Sequence, residues 1–423
     1  MKKTFSIVVF CLILLCGCST KDNKNDINIE NTENNKAVAV WEDKNFEALI
    51  RSYLGNFDKD IYLKDLDDIT ELKINSNVGV TTNIKSHAIP EEYRDKIGEL
   101  TSMKDIDNFN NLKKIILWSN DIETIHVYKK SSNIEYLDLR SNNITDISNI
   151  IKYNSLTHFG IYDNYIADLK PLGNLTMLKE LDIVNIGQKA SNINGCIESE
   201  IDMDDIDDLK NLEFLHIENS NILNISKLNN LNNLVTLNFY WCGVNVDELY
   251  FSNCDKLEAL LFHIFSPSGE QMILDITKFD NLINLKSFGI SNVLIDENES
   301  FSKLVNLESI SFSNVKFENI EILESLSNLE SIYFDYTDIG NLKYLKNNTK
   351  LKSISITYGN LSDISDLKLF PNVETLILPD NNITDISVLT QLNNLKKVIV
   401  INNPILDTSV IDELKKREGI IIN

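Results

Sequence analysis

Ile134-Glu-Tyr-Leu137-Asp-Leu139-Arg-Ser-Asn142-Asn-Ile144 is the stretch that decides how this chain folds. The same spacing returns as Val373-Glu-Thr-Leu376-Ile-Leu378-Pro-Asp-Asn381-Asn-Ile383. Apolar and polar residues alternate across Leu137-Asp138-Leu139, which is strand period, and the apolar residues then open to wider spacing at Ile144, Ile147 and Ile151. The first position of the pattern falls at Leu112, Ile134, Leu156, Leu178, Leu212, Leu234, Leu257, Leu285, Leu307, Leu329, Leu351, Val373 and Leu395. Nine of those twelve intervals are 22 residues. One such unit cannot bury its apolar residues alone, so each copy must stack on its neighbours.

The consensus Leu-x-x-Leu-x-Leu-x-x-Asn-x-Ile at this period predicts an α/β solenoid, a leucine-rich repeat horseshoe with a concave parallel sheet. The ninth-position Asn (Asn120, Asn142, Asn164, Asn381, Asn403) is expected to bond the backbone that turns away from each strand. Ile186, Ser220, Cys242, Phe265, Val293, Val315, Thr337 and Gly359 stand there in the middle copies, which predicts less regular turns in that region.

The Ile-Thr-Asp-Ile after the Asn (144–147 and 383–386) resembles the 22-residue repeats of the internalin family of bacterial surface proteins. Segment 41–74 adds to the likeness. Phe46, Leu49, Ile50 and Tyr53 lie at helical spacing, Gly55 is a helix stop, and Leu63, Leu66, Ile69 and Leu72 lead into the repeats. The resemblance covers roughly 41–423 and implies a helical N-terminal cap and non-enzymatic adhesion to a protein partner. Family members share a scaffold rather than a ligand.

Ahead of the repeats, Lys2 and Lys3 precede an apolar run too short to span a bilayer, and Leu15-Cys16-Gly17-Cys18 follows. This resembles a lipoprotein signal peptide with its lipobox (1–18), which implies lipidation at Cys18; an ordinary cleaved secretory signal is the alternative. Residues 19–36 are polar and Asn-rich and read as a disordered tether reaching about 20–25 Å. The expected organisation continues with the cap at 37–74, an irregular linking segment at 75–111, repeats at 112–404 and a C-terminal cap at 405–423. The chain is thus expected to be exported and lipid-anchored outside the bacterial cell membrane.

A formal net charge of −23 opposes nucleic acid and anionic lipid surfaces as partners. Beyond the targeting segment, Cys196, Cys242 and Cys254 have neither metal-ligand nor disulfide spacing and are expected to be buried thiols. No nucleophile elbow, zincin helix or phosphate loop is present in the sequence, so an enzyme is disfavoured and no cofactor is expected. The acidic stretch with Glu198, Glu200, Asp202, Asp204, Asp205, Asp207 and Asp208 lacks the Gly-centred order of an EF-hand loop and reads as a solvated loop, with a calcium site left open.

Function should reside on the concave face. With the first, fourth and sixth positions inward, the third, fifth, seventh and eighth meet solvent. The first seven copies place Trp118, Tyr136, His158, Tyr162, Phe214, His216, Tyr240, Trp241 and His263 there. The next four place mainly Ser, with Tyr333, Tyr336 and Tyr358 among them. Grouped aromatics favour recognition of a protein partner; ordinary lateral packing, above all for Phe214 and Tyr136, is the alternative. Stacking of glycan rings on Trp118, Tyr162, Tyr240 and Trp241 is the second functional reading. His158, His216 and His263 stand on non-adjacent copies, roughly 10 Å or more apart, too far to share a metal ion.

Overall fold

The computed structural model describes residues 37–75, 78–89, 97–184, 199–295, 301–317, 320–417 and 419–422. Its main feature is a sheet of 19 strands, parallel throughout the repeats. Register follows the repeat with no slip between most copies: Leu137 pairs with Phe159, Ile310 with Ile332, and Leu376 with Val398. The first, fourth and sixth positions all point into the core, as Ile134, Leu137 and Leu139 do. In the middle copies that core is aromatic. Phe239 stacks on Phe262 at 5.1 Å and Phe312 on Phe334 at 5.4 Å, which fills the wide interior with rings aligned across neighbouring rungs.

In most copies the eighth residue turns left-handed and the strand has ended by that point, although Thr236–Val244 runs on past Trp241. Ser119, Ser141, Asp163, Asn219, Trp241, Asn292, Asn314, Tyr336, Tyr358, Asp380 and Asn402 all have φ between 48° and 59°. The ninth residue then holds the turn. Asn142 donates Nδ2 to the carbonyls of Leu139 in its own copy and Leu117 in the preceding one, and its Oδ1 accepts the Ile122 amide. Asn164 and Asn403 repeat this arrangement.

The middle copies are mixed: Phe265, Val293, Val315 and Gly359 bring no side-chain polar group to the turn and the register shifts at Tyr240–Cys242, whereas Cys242 and Thr337 keep the contact. Cys242 Sγ donates to the Ile217 carbonyl, the same preceding-copy acceptor an Asn would use, and Thr337 Oγ lies 3.3 Å from the Phe312 carbonyl while accepting the Val315 amide. A short polar group suffices because the left-handed residue before it has already set the backbone direction. The copy starting at Leu257 departs: its strand runs on through Phe265, with a register shift against Tyr240–Cys242.

A second asparagine column precedes the pattern by one residue. Asn211, Asn233, Asn284, Asn306, Asn328, Asn372 and Asn394 each donate to a carbonyl of the previous copy at 2.7–3.3 Å. Short 3-10 segments form most of the return path. In the lengthened copy from Leu257 and the two after it, Met272–Leu274, Val293–Ile295 and Lys316–Phe317 replace part of that path with a second, three-stranded parallel sheet.

At the N-terminal end the Lys44–Leu54 helix buries Phe46, Leu49, Ile50 and Tyr53. Asp43 caps it, and Gly55 ends it at φ 67°. Asp105 fixes the helix start by accepting the Glu42 and Asp43 amides. The 75–111 segment is less irregular than expected: Gly79–Thr82 pairs antiparallel with Glu71–Asn75, and Ser86–Ala88 pairs antiparallel with Gly79–Thr82. At the other end come the Ser409–Leu414 helix and the Ile421–Ile422 strand, paired with Lys397 and Val398.

Candidate binding face

Parallel pairing lines up the third, fifth and seventh positions as three columns, for example Tyr136–His158–Glu180 and Gly289–Ser311–Tyr333–Ser355. The face divides into two chemically different halves.

In the first five copies the side chains are committed to one another. Lys114 lies over the Tyr136 ring at 4.3 Å, Tyr136 stacks on His158 at 3.9 Å, and His158 Nδ1 donates to Glu180 Oε2 at 2.6 Å. That bond holds the Glu180 carboxyl below the usual carboxylate range. Burial pushes the Tyr136 phenol up to about 12. Beside this row, buried Asp138 receives both Nε and Nη2 of Arg140 at 2.7 Å, and the guanidinium stacks on Tyr162 at 4.9 Å. Gly160 makes room for this: a Cβ there would lie 3.2 Å from Asp138 Oδ1 and 3.3 Å from the Arg140 stem. His216 sits 3.2 Å from Asp182, with Glu218 beyond, and burial raises the Glu218 carboxyl. Lys73 covers Trp118 at 5.4 Å.

Trp118, Tyr136, His158, Tyr162, Phe214, His216 and His263 are therefore half-buried rather than open. Among the nine aromatic and histidine positions expected on this face, Tyr240 and Trp241 are the exposed ones, at 40% and 55%. They meet edge to face at 6.4 Å, and His263 meets Tyr240 the same way at 5.1 Å. Burial pushes the His263 imidazole below its usual value, which favours the neutral ring.

Further exposed aromatics lie in the Ser-rich copies: Tyr333 at 48%, Tyr336 at 59% and Tyr358 at 45%. Tyr336 and Tyr358 stack at 4.4 Å. Trp241, Tyr336 and Tyr358 occupy the left-handed eighth position, with φ of 52°, 48° and 50°. Elsewhere in the described repeats that left-handed position holds Ser, Asp or Asn, short side chains that tolerate the conformation. A bulky ring there is a readable signal in the sequence alone, since it opposes the local backbone preference without filling the core.

Other expected features fall as follows. No group of three or more His, Cys, Asp or Glu able to hold a metal ion occurs among the described residues. In the acidic stretch, Asp202 caps the Met203–Asp205 turn and accepts from Asn224, while Lys227 pairs with Asp204. Cys242 and Cys254 are buried free thiols. Cys18, the tether and Cys196 lie outside the described residues. Among those residues, no helix is long and apolar enough to cross a membrane.

Repeat register, paired asparagine columns and a helical start define an internalin-like leucine-rich repeat protein. The fold is shared with an internalin, InlF, from Listeria monocytogenes at 20% identity and a TM-score of 0.52, over 90% of this chain and 95% of that one. It is also shared with the functional domain of InlJ from the same organism, which includes a cysteine ladder (18% identity, TM-score 0.56, 87% and 76% covered). A leucine-rich repeat protein of Leptospira interrogans matches at 15% identity and a TM-score of 0.50, over 85% and 97%. No protein-family model matches the sequence, and no curated protein matches it. Likeness at these identities speaks to fold.

Proposed function

We propose that this chain is a non-enzymatic binding protein, exported and lipid-anchored through Cys18, that recognises a protein partner with its concave face. The observation that carries the reading is the set of exposed aromatics at Tyr240, Trp241, Tyr333, Tyr336 and Tyr358 on one face, three of them in a backbone conformation unfavourable to them. Strained residues persist where the surroundings over-determine them and cluster at functional sites. Their neighbours are Ser, Gly and Asn, the same mixture of rigid aromatic anchors and adaptable polar groups that antibody paratopes use.

Ring geometry favours protein over glycan. Sugar stacking needs an open ring face, whereas Tyr336 and Tyr358 cover each other and Tyr240 is met edge-on by Trp241 and His263. Photo-crosslinkers placed at 240 and 336, with Lys343 on the return path as control, test the reading in envelope and host-cell extracts. The expected result is a discrete protein adduct from the first two sites, weakened by Trp241→Ala and Tyr333→Ala. Trp118→Ala, Tyr136→Ala and Tyr162→Ala should act less on binding and more on stability. Adducts of equal yield from position 343 would refute the face. For the anchor, mass spectrometry of membrane-extracted protein should find a lipidated Cys18 at the N-terminus; an unmodified Cys18 would refute it.

A further inference from the structure

The two halves of the concave face differ most in charge. In copies starting at 112, 134, 156, 178 and 212, the three columns hold 15 residues, of which Lys114, Asp138, Arg140, Glu180, Asp182 and Glu218 are charged. In the six copies from 234 to 351 they hold 18 residues with one formal charge, Asp335. Burial raises the Asp335 carboxyl above its usual value. A chain with a net charge of −23 thus keeps one large patch nearly free of charge.

The centre of the patch is a trough. Its floor is Leu261, Gly289 and Ser311, consecutive in the fifth-position column. A Cβ on Gly289 would lie 2.6 Å from Leu261 Cδ2, so the glycine is what lets the Leu261 side chain lie across the floor. Tyr240 with His263 walls one side and Tyr333 the other. The Tyr333 hydroxyl is pushed up by burial, then by Asp335 and Tyr240. On either flank a buried polar atom has no hydrogen-bond partner: Asn238 Oδ1 beside Leu261, and Ser355 Oγ beside Tyr333. Orphaned buried polar atoms are costly, and each would be satisfied by a neutral donor brought by a ligand.

We infer that the Leu261–Gly289–Ser311 trough receives an uncharged segment of the protein partner, an apolar side chain resting on Leu261 and backbone amides meeting Asn238 and Ser355. The inference rests on the protein-partner reading and fixes its chemistry. A charged group seated here would lose hydration and find no counter-charge, so complementarity requires a neutral epitope. Association is then nearly independent of ionic strength, unlike contacts made through the charged half.

The probe is a phage-displayed random peptide library panned against the purified full chain. Enriched peptides should be uncharged and rich in aliphatic or aromatic residues, with Kd changing less than about threefold between low and 1 M NaCl. Ser311→Arg, which inserts a charge into the floor, should weaken them at least 100-fold. Tyr333→Ala, which adds no bulk, should weaken them at least tenfold, and Lys352→Ala should leave them unchanged. Thermal melts confirm that each variant is folded. Enrichment of charged, salt-sensitive peptides indifferent to Ser311→Arg would overturn the inference while leaving a protein partner standing. Binding of neutral oligosaccharides that Ser311→Arg abolishes, without peptide enrichment, would overturn both.

Discussion

Replacing Asn142 by Ala tests the ladder that gives the solenoid its regularity. Asn142 is fully buried; its Oδ1 accepts the Ile122 amide at 3.1 Å, and Nδ2 donates to Leu117 and Leu139 carbonyls, both at 2.9 Å. Alanine orphans the Ile122 amide, which costs about 1–3 kcal/mol. The carbonyls suffer less, because each is shared between rungs: Leu117 O keeps Asn120 at 3.1 Å and Leu139 O keeps Asn164 at 3.0 Å. Weakening each costs about 0.5 kcal/mol, and the whole substitution about 3 kcal/mol. In the double variant Asn142→Ala/Asn164→Ala, Leu139 O loses both side-chain donors, so the cost should exceed the sum of the single effects by about 1 kcal/mol. Urea unfolding followed by circular dichroism gives the energies, and faster amide exchange at Ile122 and Ile144 locates them. A single effect below about 1 kcal/mol, or strict additivity in the double variant, would refute the shared-carbonyl ladder.

Trp241→Asn should raise stability by about 0.5–1 kcal/mol, read from the urea midpoint, because Asn tolerates φ of 52° where Trp does not, while partner binding falls tenfold or more; lower stability would mean that the indole packs rather than binds. Hydrogen bonds from Ser365, Ser387 and Ser409 hold Asp363, Asp385 and Asp407 below their ordinary value of 3.8. Their contribution is therefore present above about pH 4 and is lost as the pH falls through the lowered values, so Asp385→Ala should destabilise at pH 7 and match the parent near pH 2 in paired thermal melts. Burial pushes the thiols of Cys242 and Cys254 up to about 12 and about 11, so neither should react with a thiol reagent at pH 8 until urea unfolds the chain; rapid native labelling would contradict their burial.

The inward positions were legible because strand alternation and a fixed period leave one register that buries Leu137, Leu139 and their equivalents. Cys242 was legible as a buried rung for the same reason. What a linear reading missed arises between residues one repeat apart. Tyr136 and His158 look like two exposed rings until pairing sets them face to face, and Arg140 looks free until Gly160 lets it fold onto Asp138. Tyr336 and Tyr358 were hidden among serines, although an aromatic at a left-handed position marks them. The Gly79–Thr82 and Ser86–Ala88 strands lack the repeat's spacing, so only the pairing of the first to Glu71–Asn75 and of the second to the first reveals them.

The small sheet of Met272–Leu274, Val293–Ile295 and Lys316–Phe317 has a consequence for curvature. A stacked coil bends because its strand side advances less per repeat than its return side. Parallel strands advance about 4.8 Å whichever side they occupy. Where both sides are strands, the two advances match and the arc has no cause to close. The copies that carry Gly289 and Ser311 are therefore expected to bend less than copies whose return path is 3-10, as are those joined through Ser199–Asp202, Ser220–Leu223 and Gly243–Val244. Removing the copy that begins at Leu285 should therefore shorten the solenoid with little loss of total bend, whereas removing one whose return path is 3-10 should open it.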